Sequence, residues 1–258
     1  MHAAPAFPHL AGCYVISLRP AGAHAGLRRE AARLGARTFA LSPWRIAHRD
    51  DAATRASLRQ ALAADVVIFT SPPAVAAASA LQPLVARAGQ SWLAVGAGTA
   101  GALDRAGIAG VPAPPRMDSE GLLALPALSA PAGRSIGLVT APGGRGVIAQ
   151  ALREAGADLH RADVYAREPT PPSPARIARL VALPGPWLLP LSSGEALLRT
   201  LAALPSDAAA RLREAHVLAA SARLAGLARE AGFKRIGQAT DARPAALLAA
   251  ALADRPAG

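Results

Sequence analysis

Short apolar runs alternate with stretches of helical spacing along most of the chain. Runs that read as strands fall at Cys13–Leu18, Thr38–Leu41 and on toward Ile46, Val66–Thr70, Trp92–Gly96, Ile136–Thr140, Leu159–Tyr165, Trp187–Ser192, His216–Ala220 and Arg235–Ala239. Between them lie Ala/Leu/Arg-rich stretches that read as helices, among them Gly26–Leu34, Ala74–Ala86, Val147–Ala155 and Glu195–Leu204. Alternation of this kind predicts parallel sheets with helical crossovers, an α/β protein. Proline clusters at Pro112–Pro115 and Pro169–Pro174 punctuate the pattern, and the second reads as a boundary.

The pattern also repeats. Thr70-Ser71-Pro72-Pro73-Ala74-Val75 aligns with Ser192-Ser193-Gly194-Glu195-Ala196-Leu197, each following an apolar strand and opening a helix. Leu93-Ala94, Ala100-Gly101 and Ala106-Gly107 match Leu218-Ala219, Ala225-Gly226 and Ala231-Gly232, and Trp44 matches Tyr165, all at about 121–125 residues' spacing. Two similar α/β units are expected, each a small doubly wound sheet. In such sheets ligands sit beyond the carboxyl ends of the strands. Those ends carry Arg19, Thr70-Ser71, Gly96, Thr140, Ser192-Ser193 and Ser221. Hydroxyls, glycines and an arginine at helix starts suit an anion, although the same Ser and Thr also suit plain N-caps.

Length and composition narrow the class. The 258 residues are 52% hydrophobic and 17% charged, enough for a sizeable core and against global disorder. The single cysteine, Cys13, excludes a disulfide scaffold or a Cys-based zinc site and reads as core. No apolar run approaches the length of a spanning helix, and Met1–Leu10 does not read as a signal peptide. A soluble cytoplasmic protein is expected. The formal net charge of +11 comes from 28 Lys+Arg, of which only Lys234 is lysine. These arginines are scattered and the aromatics isolated, so no nucleic-acid surface is expected. A small acidic ligand fits better, because arginine grips carboxylates bidentately.

Several motifs compete for the chemistry. Gly96-Ala97-Gly98-Thr99-Ala100-Gly101 has the dinucleotide-binding spacing, but it follows the fourth candidate strand and its repeat partner lacks the glycines. Gly143-Gly144-Arg145 suits a backbone nest for an anion or a tight turn. The six histidines show no metal spacing, and no Ser nucleophile elbow occurs. An enzyme of this composition works by positioning and electrostatics. A two-domain protein that closes on a small anion without chemistry, and an NAD(P) oxidoreductase, remain open on these residues.

The order of motifs resembles the uroporphyrinogen-III synthase family. The stretches are Ile16-Ser17-Leu18-Arg19-Pro20, Phe69-Thr70-Ser71-Pro72-Pro73-Ala74-Val75, Ala94-Val95-Gly96-Ala97-Gly98-Thr99-Ala100, Ser119-Glu120-Gly121-Leu122, Gly143-Gly144-Arg145, Val164-Tyr165-Ala166-Arg167, Ser192-Ser193-Gly194-Glu195-Ala196-Leu197 and Ser221-Ala222-Arg223-Leu224. The resemblance implies two flavodoxin-like doubly wound parallel-sheet domains joined by a two-stranded connector, with an inter-domain cleft. The domains would be residues 1–40 plus 169–258, and 41–168, with connectors near 38–48 and 158–168. It implies a monomeric lyase without cofactor or metal, acting on the polycarboxylate hydroxymethylbilane. That linear tetrapyrrole loses water to give an azafulvene-type cation, passes through a spiro intermediate and closes with ring D inverted.

The resemblance further implies that Tyr165 assists the leaving hydroxyl. Arg19, Thr70, Ser71, Gly96, Gly98, Thr99, Ser119, Gly143, Gly144, Arg145, Ser192, Ser193, Ser221 and Arg223 are carried over as substrate binders. Two departures stand out. Pro73 replaces a residue that is often polar or basic in the family, and Ser221-Ala222-Arg223 replaces a Gly/Thr-rich form.

Overall fold

The computed structural model describes residues 10–116, 119–143 and 146–253. It opens with strand β1 (Tyr14–Ser17), helix α1 (Ala25–Arg33) and strand β2 (Arg37–Ala40). Strand β3 (Trp44–His48) follows, then α2 (Ala52–Leu62), β4 (Val66–Phe69), α3 (Pro72–Leu81), β5 (Ser91–Ala94) and α4 (Ala97–Arg105). Next come the short α5 (Ser119–Leu123), β6 (Ser135–Thr140), α6 (Val147–Glu154), β7 (Asp158–Asp163) and β8 (Tyr165–Pro169). The chain ends through α7 (Pro174–Val181), β9 (Trp187–Leu191), α8 (Gly194–Ala203), α9 (Ser206–Arg213), β10 (His216–Ala219), α10 (Ala222–Glu230), β11 (Arg235–Gln238) and α11 (Pro244–Ala253).

The chain divides into two compact units, one of residues 1–45 and 169–258, the other of residues 46–168. The first holds a five-stranded parallel sheet in the order β11-β10-β9-β1-β2. The first strand of the chain is therefore central in a sheet built mostly from the last third of the sequence. The second unit holds a four-stranded parallel sheet in the order β5-β4-β6-β7. A two-stranded ribbon, β3 with β8, carries the chain's two passages from one unit to the other.

The ribbon is shorter than the connectors expected from the sequence. Thr38–Ala40 and Asp158–Asp163, expected within them, are edge-strand segments of the two sheets, with Thr38 opposite Val15 and Asp158 opposite Ser135. Each expected run splits where its pairing partner changes. Pro43, which has no N–H to give a ladder, sits in the break between β2 and β3.

Burial follows the strand positions. Central β4 is buried at every residue, as a strand covered on both faces must be, whereas edge strand β7 is mostly half-exposed. The period of two sorts the side chains of the second unit into two cores. Val67, Phe69, Trp92 and Val139 pack with α2 and α3 residues such as Leu58 and Ala78, while Val66, Ile68, Leu93, Ile136 and Leu138 pack with Leu122 and Leu152. Gly137 of β6 lets α2 approach closely, since a Cβ there would lie 1.9 Å from the Ala61 carbonyl oxygen. In the first unit, Cys13, Val15, Leu188 and Leu218 pack against Leu27 of α1 and Leu248 of α11, so Cys13 is a core residue, as its apolar context predicts.

Candidate active site

In the second unit the chain runs from β4 to β5 on one side and returns to β6 on the other. The sheet order thus reverses between β4 and β6, and a crevice opens beyond the carboxyl ends of strands at such a point. The structure has a cavity of about 210 Å³ there. Its polar wall includes Thr70 and Ser71 after β4, Thr140 at the end of β6, Ser119, Arg161 and Tyr165.

Thr70, Ser71, Thr140, Arg161 and Tyr165 are held by neighbouring groups. Thr70 Oγ1 donates to Thr140 Oγ1 at 2.8 Å, which ties the two strand ends together. Ser71 caps α3, its Oγ accepting from the Ala74 N–H at 3.3 Å. The same Oγ lies 3.1 Å from the Tyr165 hydroxyl. The Tyr165 ring belongs to the core containing Phe69 and Val139, and the residue is 3% exposed. An apolar anchor with its polar tip in a cavity is a fixed geometry for a phenol. Arg161 forms an ion pair with Asp163 at 3.0 Å and donates to the Ala141 carbonyl. Gly143, which also lines the cavity, takes the left-handed conformation (φ +88°) that favours glycine.

Thr70, Ser71, Ser119, Gly143 and Tyr165 therefore meet around one cavity. Gly144 and Arg145 lie outside the described residues. Gly96 caps α4 after β5, an edge strand, and Gly98 and Thr99 follow inside the helix. None of these three lines the cavity, and Thr99 is 4% exposed. A dinucleotide site at Gly96–Gly101 loses its topological basis as well, since β5 is not at the reversal point.

In the first unit the sheet order reverses between β1 and β9. Arg19, Ser192 and Ser193 meet there, around a smaller cavity of about 100 Å³. Burial pushes the Arg19 guanidinium below its usual value, and it donates to the Ala242 carbonyl. Ser193 and Ser221 cap α8 and α10, accepting from Ala196 and Leu224, so the N-cap reading of these hydroxyls holds. Arg223 is exposed on α10.

Arg161 was not among the residues singled out in the sequence. Its only local signal is that it shares the period of two with Asp163 at the end of an edge strand.

A family profile described as Uroporphyrinogen-III synthase HemD matches residues 26–249. The chain belongs to that family. Solved structures titled as uroporphyrinogen III synthases share the family's fold with it. One, a mutant from the extremely thermophilic bacterium Thermus thermophilus, is 19% identical, covers 92% of this chain and 96% of its own, and superposes with a TM-score of 0.59. Another, from Helicobacter pylori, is 15% identical over 95% of this chain and 100% of its own, with a TM-score of 0.61. No match was found among curated proteins.

Proposed function

We propose that the Thr70–Ser71–Tyr165 cavity holds the reacting end of hydroxymethylbilane. Membership of the uroporphyrinogen-III synthase family makes the chain a cyclising lyase, which converts that linear tetrapyrrole to uroporphyrinogen III with loss of water and inversion of ring D. The observation that carries the site assignment is the Ser71–Tyr165 contact at the reversal point of the sheet.

The proposed chemistry follows from the direction of the hydrogen bonds. Capping uses Ser71 Oγ only as an acceptor, which leaves its proton for the Tyr165 oxygen. The phenol O–H is then free to donate to the leaving hydroxyl as the C–O bond breaks and the azafulvene cation forms. The cavity, about 210 Å³, is smaller than the roughly 300–1,000 Å³ of pockets that enclose a drug-sized ligand. It suits one end of a tetrapyrrole. Thr70, Ser119 and Gly143 would hold its acetate or propionate arms. Gly96, Gly98 and the Gly144-Arg145 pair, as well as Arg19, Ser192, Ser193, Ser221 and Arg223 of the other unit, are proposed as further carboxylate contacts. Holding the chain in a ring-closing conformation supplies most of the rate, because it removes the entropy of a flexible multi-ring chain before reaction.

No cofactor enters this reading. Among the described residues no helix is long and apolar enough to cross a membrane, and we propose a cytoplasmic monomer that does not bind nucleic acid. The test is the isomer produced. Purified protein, given freshly generated hydroxymethylbilane and then an oxidant, yields mainly the type III porphyrin. A product that is type I only overturns the reading.

A further inference from the structure

The unit of residues 1–45 and 169–258 contains a second cavity, of about 320 Å³, where β1 and β2 end and α7 begins; its wall is largely apolar and carries a few polar side chains. His24 lies in its wall and is 7% exposed. Its Nδ1 is 2.8 Å from the Oγ of Ser17, which is fully buried, and its Nε2 is 2.9 Å from the Oγ of Ser42, another wall residue. Both ring nitrogens are thus engaged by hydroxyls, and a hydroxyl can reverse its donor direction without moving an atom heavier than hydrogen.

Arg176, also in the wall, is held along one edge. Its Nε and Nη2 both donate to the Ala40 carbonyl, and its guanidinium stacks 4.6 Å from the Phe39 ring centroid. Nη1 is left to serve another acceptor. Arg19 and Arg28 lie close enough to act electrostatically on His24, as does Arg176. Among the described residues none of these three guanidiniums is paired with a carboxylate. A cavity with one fixed guanidinium, a reorientable hydroxyl and two more unneutralised cations nearby has the field and the donors of a carboxylate site.

We propose that this cavity binds a carboxylate, gripped by the Nη1 edge of Arg176 and the hydroxyl of Ser42. On binding, Ser42 turns its proton to the ligand and accepts from His24 Nε2; Nδ1 accepts from Ser17 while the ring is neutral and donates to the Ser17 hydroxyl once the ring is protonated. The ligand's negative charge also offsets Arg19, Arg28 and Arg176, the charged groups acting on His24 from the β1–α1 loop, α1 and α7. Protonation of His24 then becomes easier, and by linkage the carboxylate binds more tightly as pH falls through the histidine range. The ligand is either a free carboxylic acid or an acetate or propionate arm of a tetrapyrrole. The site does not depend on the role assigned to Tyr165.

The experiment follows the His24 imidazole by nitrogen-detected NMR in the full chain, during titration with succinate and, separately, with uroporphyrinogen III. A response to succinate assigns the site to carboxylates in general, and a response to uroporphyrinogen III alone assigns it to a tetrapyrrole arm. Either is the expected kind of result, with binding several-fold tighter near pH 6 than near pH 8. Arg176→Gln is expected to weaken binding about tenfold or more, the loss typical of one charge-assisted pair. Ser42→Ala, a smaller change, provides a second test if Arg176→Gln does not fold. Silence of His24 toward both ligands, or unchanged affinity in a folded Arg176→Gln or Ser42→Ala protein, overturns the proposal. Type III product formation, measured in parallel, reports on the family reaction separately.

Discussion

Tyr165 has two environments at once. Its ring sits in the core with Phe69 and Val139, while its hydroxyl meets Ser71 at the cavity. Removing the hydroxyl alone separates packing from chemistry. Tyr165→Phe is expected to lower kcat by about 10²–10³-fold, within the usual reach of a general acid, with a smaller change in KM. Steady-state kinetics with hydroxymethylbilane checks this, and an unchanged kcat would assign Tyr165 to structure only. His24 supports a second expectation. Burial first, and then Arg28, Arg176 and Arg19, hold its pKa below the usual value near 6.5. As pH falls below that value the unfolded chain takes up the proton before the folded protein does, so folding loses stability; above it the contribution vanishes. Thermal melts near pH 8 and near pH 5 should show the acid loss, and His24→Gln should show a smaller one.

Gly137 shows how one element constrains another. It sits mid-strand in β6, where the carbonyl of Ala61 on α2 occupies the space a side chain would need. Gly137→Ala must push α2 away from the sheet, at a cost of about 3 kcal/mol. Urea unfolding should show a lowered midpoint with an unchanged slope; an unchanged midpoint would mean that the helix shifts at little cost. The same sheet explains why strand limits were hard to place from the sequence. Asp163 is the last residue of β7 paired with β6, and Tyr165 already belongs to the ribbon with β3. Nothing in the stretch Leu159–Tyr165 marks that change of partner, because it is set by where Thr140 ends β6.

At the scale of the whole molecule, charge is the dominant feature. A net charge of +11 draws a polycarboxylate toward the protein from a distance, and salt weakens that attraction. The value of kcat/KM for hydroxymethylbilane is therefore expected to fall several-fold between about 20 and 500 mM salt, with kcat changing less. A kcat/KM insensitive to salt would make the arginine excess a matter of composition.

Local pattern carried a good deal of this. The alternation of apolar runs and helical stretches specified parallel α/β architecture, because strand and helix periods act over a few residues and need no partner to be recognised. The repeat of Thr70-Ser71 by Ser192-Ser193 specified two units and put hydroxyls at strand ends. Neighbour relations were decided only in three dimensions. Thr70 and Thr140 bond across 70 residues because β4 lies beside β6. Thr99, in a motif that looked chemical, is buried in α4 after an edge strand. His24, Ser17 and Ser42 converge because β1 and β2 run side by side. Which strands adjoin depends on burying apolar faces across the whole unit, a long-range balance that no short stretch of sequence contains.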